Sequence, residues 1–117
     1  MRQSLRGLSV SLQPKLSEAE FQRQVVKIAK MYSWLVDHTP PMRSHGGDIY
    51  TGGLTGKTDL ILFSQRGKGI IFAELKTETG RMSTAQCWFQ DVINMNGGEH
   101  FVWRPSDMDA IIERLSR

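Results

Sequence analysis

The chain has 117 residues and a mass of 13.3 kDa, enough for one domain that buries roughly two-thirds of its unfolded surface without cross-links. Its single cysteine, Cys87, excludes an internal disulfide and a cysteine cluster for zinc, which makes a reducing compartment the expectation; Cys87 itself is read as a core residue. The net charge of +3 suits a polyanionic partner without identifying one, and no apolar run is long enough for a secretory signal or a membrane span.

Residues 1–16 mix basic and polar residues with scattered leucines and read as a flexible arm, in which Arg2 and Arg6 could reach a phosphate backbone. The domain proper is expected over 17–117. Phe21, Val25, Ile28 and Tyr32 recur at helical spacing and predict a helix over 17–32. Ser17 and Glu20 form a capping box at its start, whereas Glu18 precedes Phe21 by three and Val25 by seven and is placed on the inward face. A strand at 34–38 follows, and then an unusually long loop over 39–57. That loop carries Arg43, His45, Asp48, Tyr50 and Lys57 among glycines at 46, 47, 52 and 53. Basic and aromatic groups on a pliable backbone suit a flap that contacts phosphates, with Arg43, Lys57 and, further on, Arg81 as candidate contacts.

Two apolar strands are expected at 58–64 and 69–76, joined by a turn at Gln65-Arg66-Gly67-Lys68. The hairpin brings Asp59, at the start of one strand, beside Glu74 and Lys76 at the end of the next. Alternation along a strand puts Glu74 and Lys76 on one face and Leu75, Ala73 and Ile71 on the other. A helix over 83–96 is capped by Ser83 and stopped by Asn96-Gly97-Gly98; a strand at 99–104 and a helix at 106–116 complete the chain. Gln86 stands at the third position of that capping box, so a structural role and a catalytic one are both open to it. Met42, Met82, Met95 and Met108 form no stripe and are read as core fillers, while Trp88, Phe89 and Trp103 exceed what a small core needs, and one or more of them would suit a subunit interface.

Two carboxylates and an ammonium at one strand end are the means to hold a hard divalent cation. Magnesium takes oxygen ligands and keeps several waters, so Asp59, Glu74 and the backbone carbonyl of Leu75 would suffice. Such an ion activates water and offsets charge on a phosphodiester, and Lys76 would orient the water or stabilise the phosphorane. Solvated charges at strand ends are the plainer reading of any one of these residues. His38, beside the long loop, is more simply a hydrogen-bonded structural histidine than a ligand.

Asp59, Glu74-Leu75-Lys76, the Ser17–Gln22 helix start, Trp34–His38, Ser83-Thr84-Ala85-Gln86 and Val102-Trp103-Arg104-Pro105 together resemble a stand-alone VRR-NUC domain, a branch of the PD-(D/E)XK nucleases, over residues 17–115. The sequence departs from the common pattern at Thr58, where members often have proline. The resemblance implies a restriction-endonuclease-like α/β fold, a mixed central sheet of about four strands flanked by helices. It also implies an endodeoxyribonuclease dependent on Mg2+ or Mn2+, with Glu18, Asp59, Glu74, Lys76 and Gln86 as its catalytic set. The expected substrate is branched DNA such as a four-way junction and the expected assembly a homodimer, encoded by a phage or bacterium and working in the cytoplasm. Two alternatives stay open, a non-catalytic nucleic-acid-binding module of the same fold and a nuclease acting on other DNA forms or on RNA.

Overall fold

The computed structural model describes residues 16–38, 42–43, 49–50 and 54–117, with only the backbone described at 42–43 and 49–50. The sixteen-residue arm thus lies outside the described residues, apart from Leu16, which packs partly buried against the core. Helix α1 runs from Glu18 to Met31. It starts there because the Ser17 hydroxyl accepts from the Glu20 amide at 3.1 Å, and Glu18, Glu20 and Lys30 complement the helix dipole at its two ends. The Glu20 carboxylate accepts from the Ser17 hydroxyl at 3.0 Å rather than from the Ser17 amide, so the capping box is closed through side chains. Phe21, Val25 and Ala29 form its buried stripe.

The strands are β1 (Trp34–Asp37), β2 (Met42–Arg43), β3 (Ile49–Tyr50), β4 (Leu60–Ser64), β5 (Ile70–Leu75) and β6 (Glu99–Trp103). Helix α2 spans Thr84–Met95, and helix α3 spans Met108–Ser116 after a 3-10 turn at Pro105–Asp107. A four-stranded mixed sheet has the order β1-β4-β5-β6, in which only the β5–β6 pair is parallel. A parallel pair needs a crossover, and α2 supplies it. Within the expected 39–57 loop, β2 and β3 pair antiparallel as a second small sheet; strands of two residues are too short to leave a period in the sequence. The other elements end within one or two residues of expectation, except that β4 starts at Leu60 and leaves Asp59 outside the ladder.

One sheet face presents Leu60, Leu62, Ile71, Ala73, Leu75 and Trp103 to α1 and to Ile111 and Leu115 of α3, and this is the core. The opposite face carries Phe72, against which Phe89 of α2 packs edge-on with ring centroids 6.3 Å apart. Phe89 is the one residue of α2 that is buried, and the helix phase turns its neighbours outward. Cys87 is therefore exposed rather than a core residue, and Met95, 78% exposed, fills no gap. Met82 is half-buried, Met108 packs against the core, and the Met42 side chain lies outside the described residues. Of the tryptophans, Trp34 and Trp103 are buried and Trp88 is 59% exposed.

Two arginines lock the end of the sheet where β4 turns into β5. Arg114 binds Glu99 through two short bonds of 2.6 and 2.8 Å, donates to the Lys68 carbonyl and lies 5.3 Å from the centre of the Trp34 ring. Arg66 in the turn donates to the carbonyls of Tyr32, Leu115 and Arg117. These contacts fasten α1, α3 and the β4–β5 turn into one unit.

At the other end, Gly56 packs directly against the first turn of α2. A β-carbon there would stand 2.2 Å from the Ala85 carbonyl oxygen, and its φ of +82° already favours glycine. Gly56→Ala must push α2 off the segment leading to Asp59. The expected outcome is a loss of about 1–3 kcal/mol in chemical denaturation, from the strained backbone and the clash together; an unchanged midpoint would show that the contact carries no weight.

Candidate active site

Strand alternation assigns Glu74 to the same face as Phe72, beneath α2, and away from the core residues Ala73 and Leu75. Leu60 pairs with Ala73, so the next position in register sets Asp59 opposite Glu74. Asp59 is fixed there because its Oδ2 accepts from the Leu75 amide at 2.8 Å, a bond that takes the place of a ladder bond just before β4 begins. Thr58, buried where the resemblance leads one to expect proline, donates from its hydroxyl to the Leu60 carbonyl at 3.0 Å. It stiffens the approach to Asp59 by a hydrogen bond where proline would do so by its ring.

Glu74 is only 2% exposed. Its Oε2 accepts from Gln86 Nε2 at 2.7 Å and lies 3.7 Å from Lys76 Nζ. Its Oε1 is buried without a partner. Burial, and then the neighbouring Asp59 carboxyl, push the Glu74 pKa from 4.5 up to about 8; Lys76 opposes the shift, and Glu18 adds to it. Two carboxyls this close resist being ionised together unless a proton or a cation comes between them.

Gln86 takes up both roles open to it. Its Oε1 accepts from the Ser83 amide at 2.8 Å and completes the capping box of α2, while its Nε2 reaches Glu74. The cap thereby positions the site. Glu18 is exposed rather than turned into the core, but its charge is felt at Glu74, whereas Glu20 is occupied with Ser17. His38 is exposed, with its Nδ1 3.5 Å from Gln22 Nε2. Arg81 is exposed and Lys57 half-buried, whereas the side chain of Arg43 lies outside the described residues, as do the loop residues His45 and Asp48.

Arg104 has a role that its sequence context does not signal. Its Nη1 donates to the carbonyls of Thr77 and Gly80 at 2.6 and 2.8 Å and, at 3.3 Å, to that of Glu78, bracing the segment between Lys76 and α2. The Glu78 carboxylate in turn accepts from the Ser106 amide at 2.7 Å. Only an arginine fork collects several carbonyls at once, and nothing short of the fold reveals which carbonyls those are.

Among the described residues, no group of three or more His, Cys, Asp or Glu side chains is gathered at metal-binding spacing. What is gathered is the Asp59–Glu74 pair. Two carboxylates fit magnesium, which takes one or two from a protein and completes its shell with water and substrate phosphate. The partnerless Glu74 Oε1 is an oxygen suited to such an ion. The chain matches no protein-family model, no curated protein and no solved structure.

The raised pKa has a consequence for stability in chelator. Glu74 holds its proton more tightly folded than unfolded, so it contributes stability that is full below about pH 4.5 and is lost as pH rises towards 8. Asp59→Asn removes a repelling charge while an amide oxygen can still accept from Leu75. Thermal melts between pH 5 and 8 are expected to show a flatter decline for Asp59→Asn than for the wild type. Parallel curves would mean that the two carboxyls do not interact.

Proposed function

We propose that this chain is a divalent-metal-dependent nuclease of the stand-alone VRR-NUC type, with a restriction-endonuclease-like fold, acting on DNA phosphodiesters. The observation that carries the reading is the buried Glu74, facing Asp59 and touched by Lys76 and Gln86. A carboxylate buried beside a second carboxylate is costly to a domain that does nothing with it, and a strongly perturbed acid with named charge partners is a mark of functional sites.

In this reading Asp59 and Glu74, with the Leu75 carbonyl, hold Mg2+ or Mn2+, and Glu18 acts from the start of α1 through water. The bound ion supplies Lewis acidity toward the phosphate and an activated water. Lys76 has its ammonium at the edge of the carboxylate pair, where it offsets the negative charge that builds on a phosphorane. Gln86 holds the Glu74 carboxylate in place and leaves Oε1 clear.

Branched DNA and a homodimer belong to the same proposal. Leu35, Phe63 and Ile70 are exposed and neighbour one another in register across β1, β4 and β5, on the sheet face that α1 and α3 leave uncovered. An apolar patch of this kind suits a second copy, and a two-fold pair would bring two sites to the two cuts of a symmetric junction. No helix of the described residues is long and apolar enough to cross a membrane.

The deciding assay offers labelled four-way junction, duplex, flap and single-stranded DNA with magnesium, manganese or chelator. Cleavage is expected with metal only and fastest on the junction. Glu74→Gln is expected to fold and to lose well over tenfold in rate, since a lost metal ligand costs several kcal/mol of transition-state stabilisation. Cleavage of no substrate under any metal would leave the binding-module alternative in its place.

A second assay separates the two helix acids. Glu18→Gln is expected to lower the cleavage rate far more than Glu20→Gln, whose amide oxygen can still accept from the Ser17 hydroxyl and keep the cap in place. Equal rate losses would take Glu18 out of the site.

A further inference from the structure

Helix α1 has a second stripe besides its buried one. Ala19, Gln22, Arg23, Val26, Lys27 and Lys30 follow one another at helical spacing and, with His38 beyond β1, line an open cleft of about 590 Å³. Arg23, Lys27 and Lys30 are all exposed, and none of the three forms an ion pair with another described residue. Among the described residues, nothing acidic lines the cleft. A row of three uncompensated cations beside an apolar floor is a poor device for stability, because the like charges at Arg23 and Lys27 repel one another.

The cleft begins at Ala19, the residue next to Glu18, and Glu18 is the α1 residue whose charge reaches Glu74. The cationic row runs along the helix from the end at which Glu18 stands. From Arg23 to Lys30 is seven residues, about 10 Å along an α-helix. Long cationic side chains spread over that length can meet successive phosphates of one DNA strand.

We infer that the Arg23–Lys27–Lys30 cleft of α1 is the track for the phosphate backbone of a DNA strand leading to the Asp59–Glu74 site, with Gln22 and His38 as polar contacts along its edge. The inference rests on the nuclease reading for the identity of the ligand, and on the cleft and its charges for the position. Backbone contacts of this kind fix where the strand lies and carry no base preference.

The test measures binding and not cleavage. A fluorescein-labelled duplex is titrated with protein in calcium, which takes the same oxygen ligands, at several salt concentrations, and followed by anisotropy. The variants are Arg23→Gln, Lys27→Gln, Lys30→Gln, the triple, and Lys68→Gln in the β4–β5 turn as a control of equal single charge. Each cleft variant is expected to reduce the slope of log affinity against log salt by about 0.9, and the triple by about 2.7, with affinity at low salt at least about tenfold weaker. Lys68→Gln should follow the wild type. Glutamine is well tolerated on an exposed helix face, and an unchanged melting curve for the triple shows that the loss is one of contact. A triple variant that binds with wild-type affinity and slope would overturn the track while leaving the nuclease reading to the cleavage assay. Polyglutamate bound as tightly as DNA, with the same dependence on the three cations, would overturn the assignment to nucleic acid. Wild-type protein that binds no DNA would overturn both.

Discussion

Glu74 sets the terms for this fold. A carboxyl group almost wholly buried beside a second carboxyl is among the least favourable things a domain of 117 residues can contain, and the surrounding structure is arranged to hold it there. The β4–β5 register brings Asp59 opposite it, the Leu75 amide fixes Asp59, and the cap of α2 aims Gln86 at it. Gly56 lets α2 come close enough for that bond to form. Each of these is a local choice that makes sense only with the others, which is the mark of a position kept for a purpose other than stability.

The opposite end of the sheet has the reverse character. There Arg114 meets Glu99 in a paired fork, Arg66 gathers three backbone carbonyls, and Trp34 donates from its ring nitrogen to the Leu115 carbonyl at 3.0 Å. Every charge named at that end has a partner. The molecule thus separates a well-satisfied end, which keeps the sheet and helices in register, from an end where like charges are brought together. Rigid elements bearing a strained constellation are what precise placement of reacting groups requires.

Much of this was legible in the sequence, for reasons that particular residues make plain. Phe21, Val25, Ile28 and Tyr32 recur at helical spacing, although the buried stripe runs through Ala29, and the continuous apolar runs of β4 and β5 flank a four-residue turn, so that the meeting of Asp59 with Glu74 could be expected from them. The paired strands β2 and β3 were not legible, because two residues carry no period. Cys87 and Met95 were misplaced because apolar character was read without the phase of α2, which turns both outward. The carbonyls that Arg104 braces come from residues more than twenty positions away, a relation that only the fold supplies. The cations of α1 were visible at positions 23, 27 and 30, but their meaning depended on His38 and on what lies beside Glu18.

The central claim is that Asp59 and Glu74 form the seat of a divalent cation, and calorimetric titration of the protein with Mn2+ tests it without recourse to any substrate. Wild-type protein should bind the ion, Glu74→Gln should lose that heat while keeping its fold, and Lys76→Ala should retain it, because the ammonium is not a ligand. Mn2+ binding by Glu74→Gln at wild-type strength, or none by the wild type, would contradict the account.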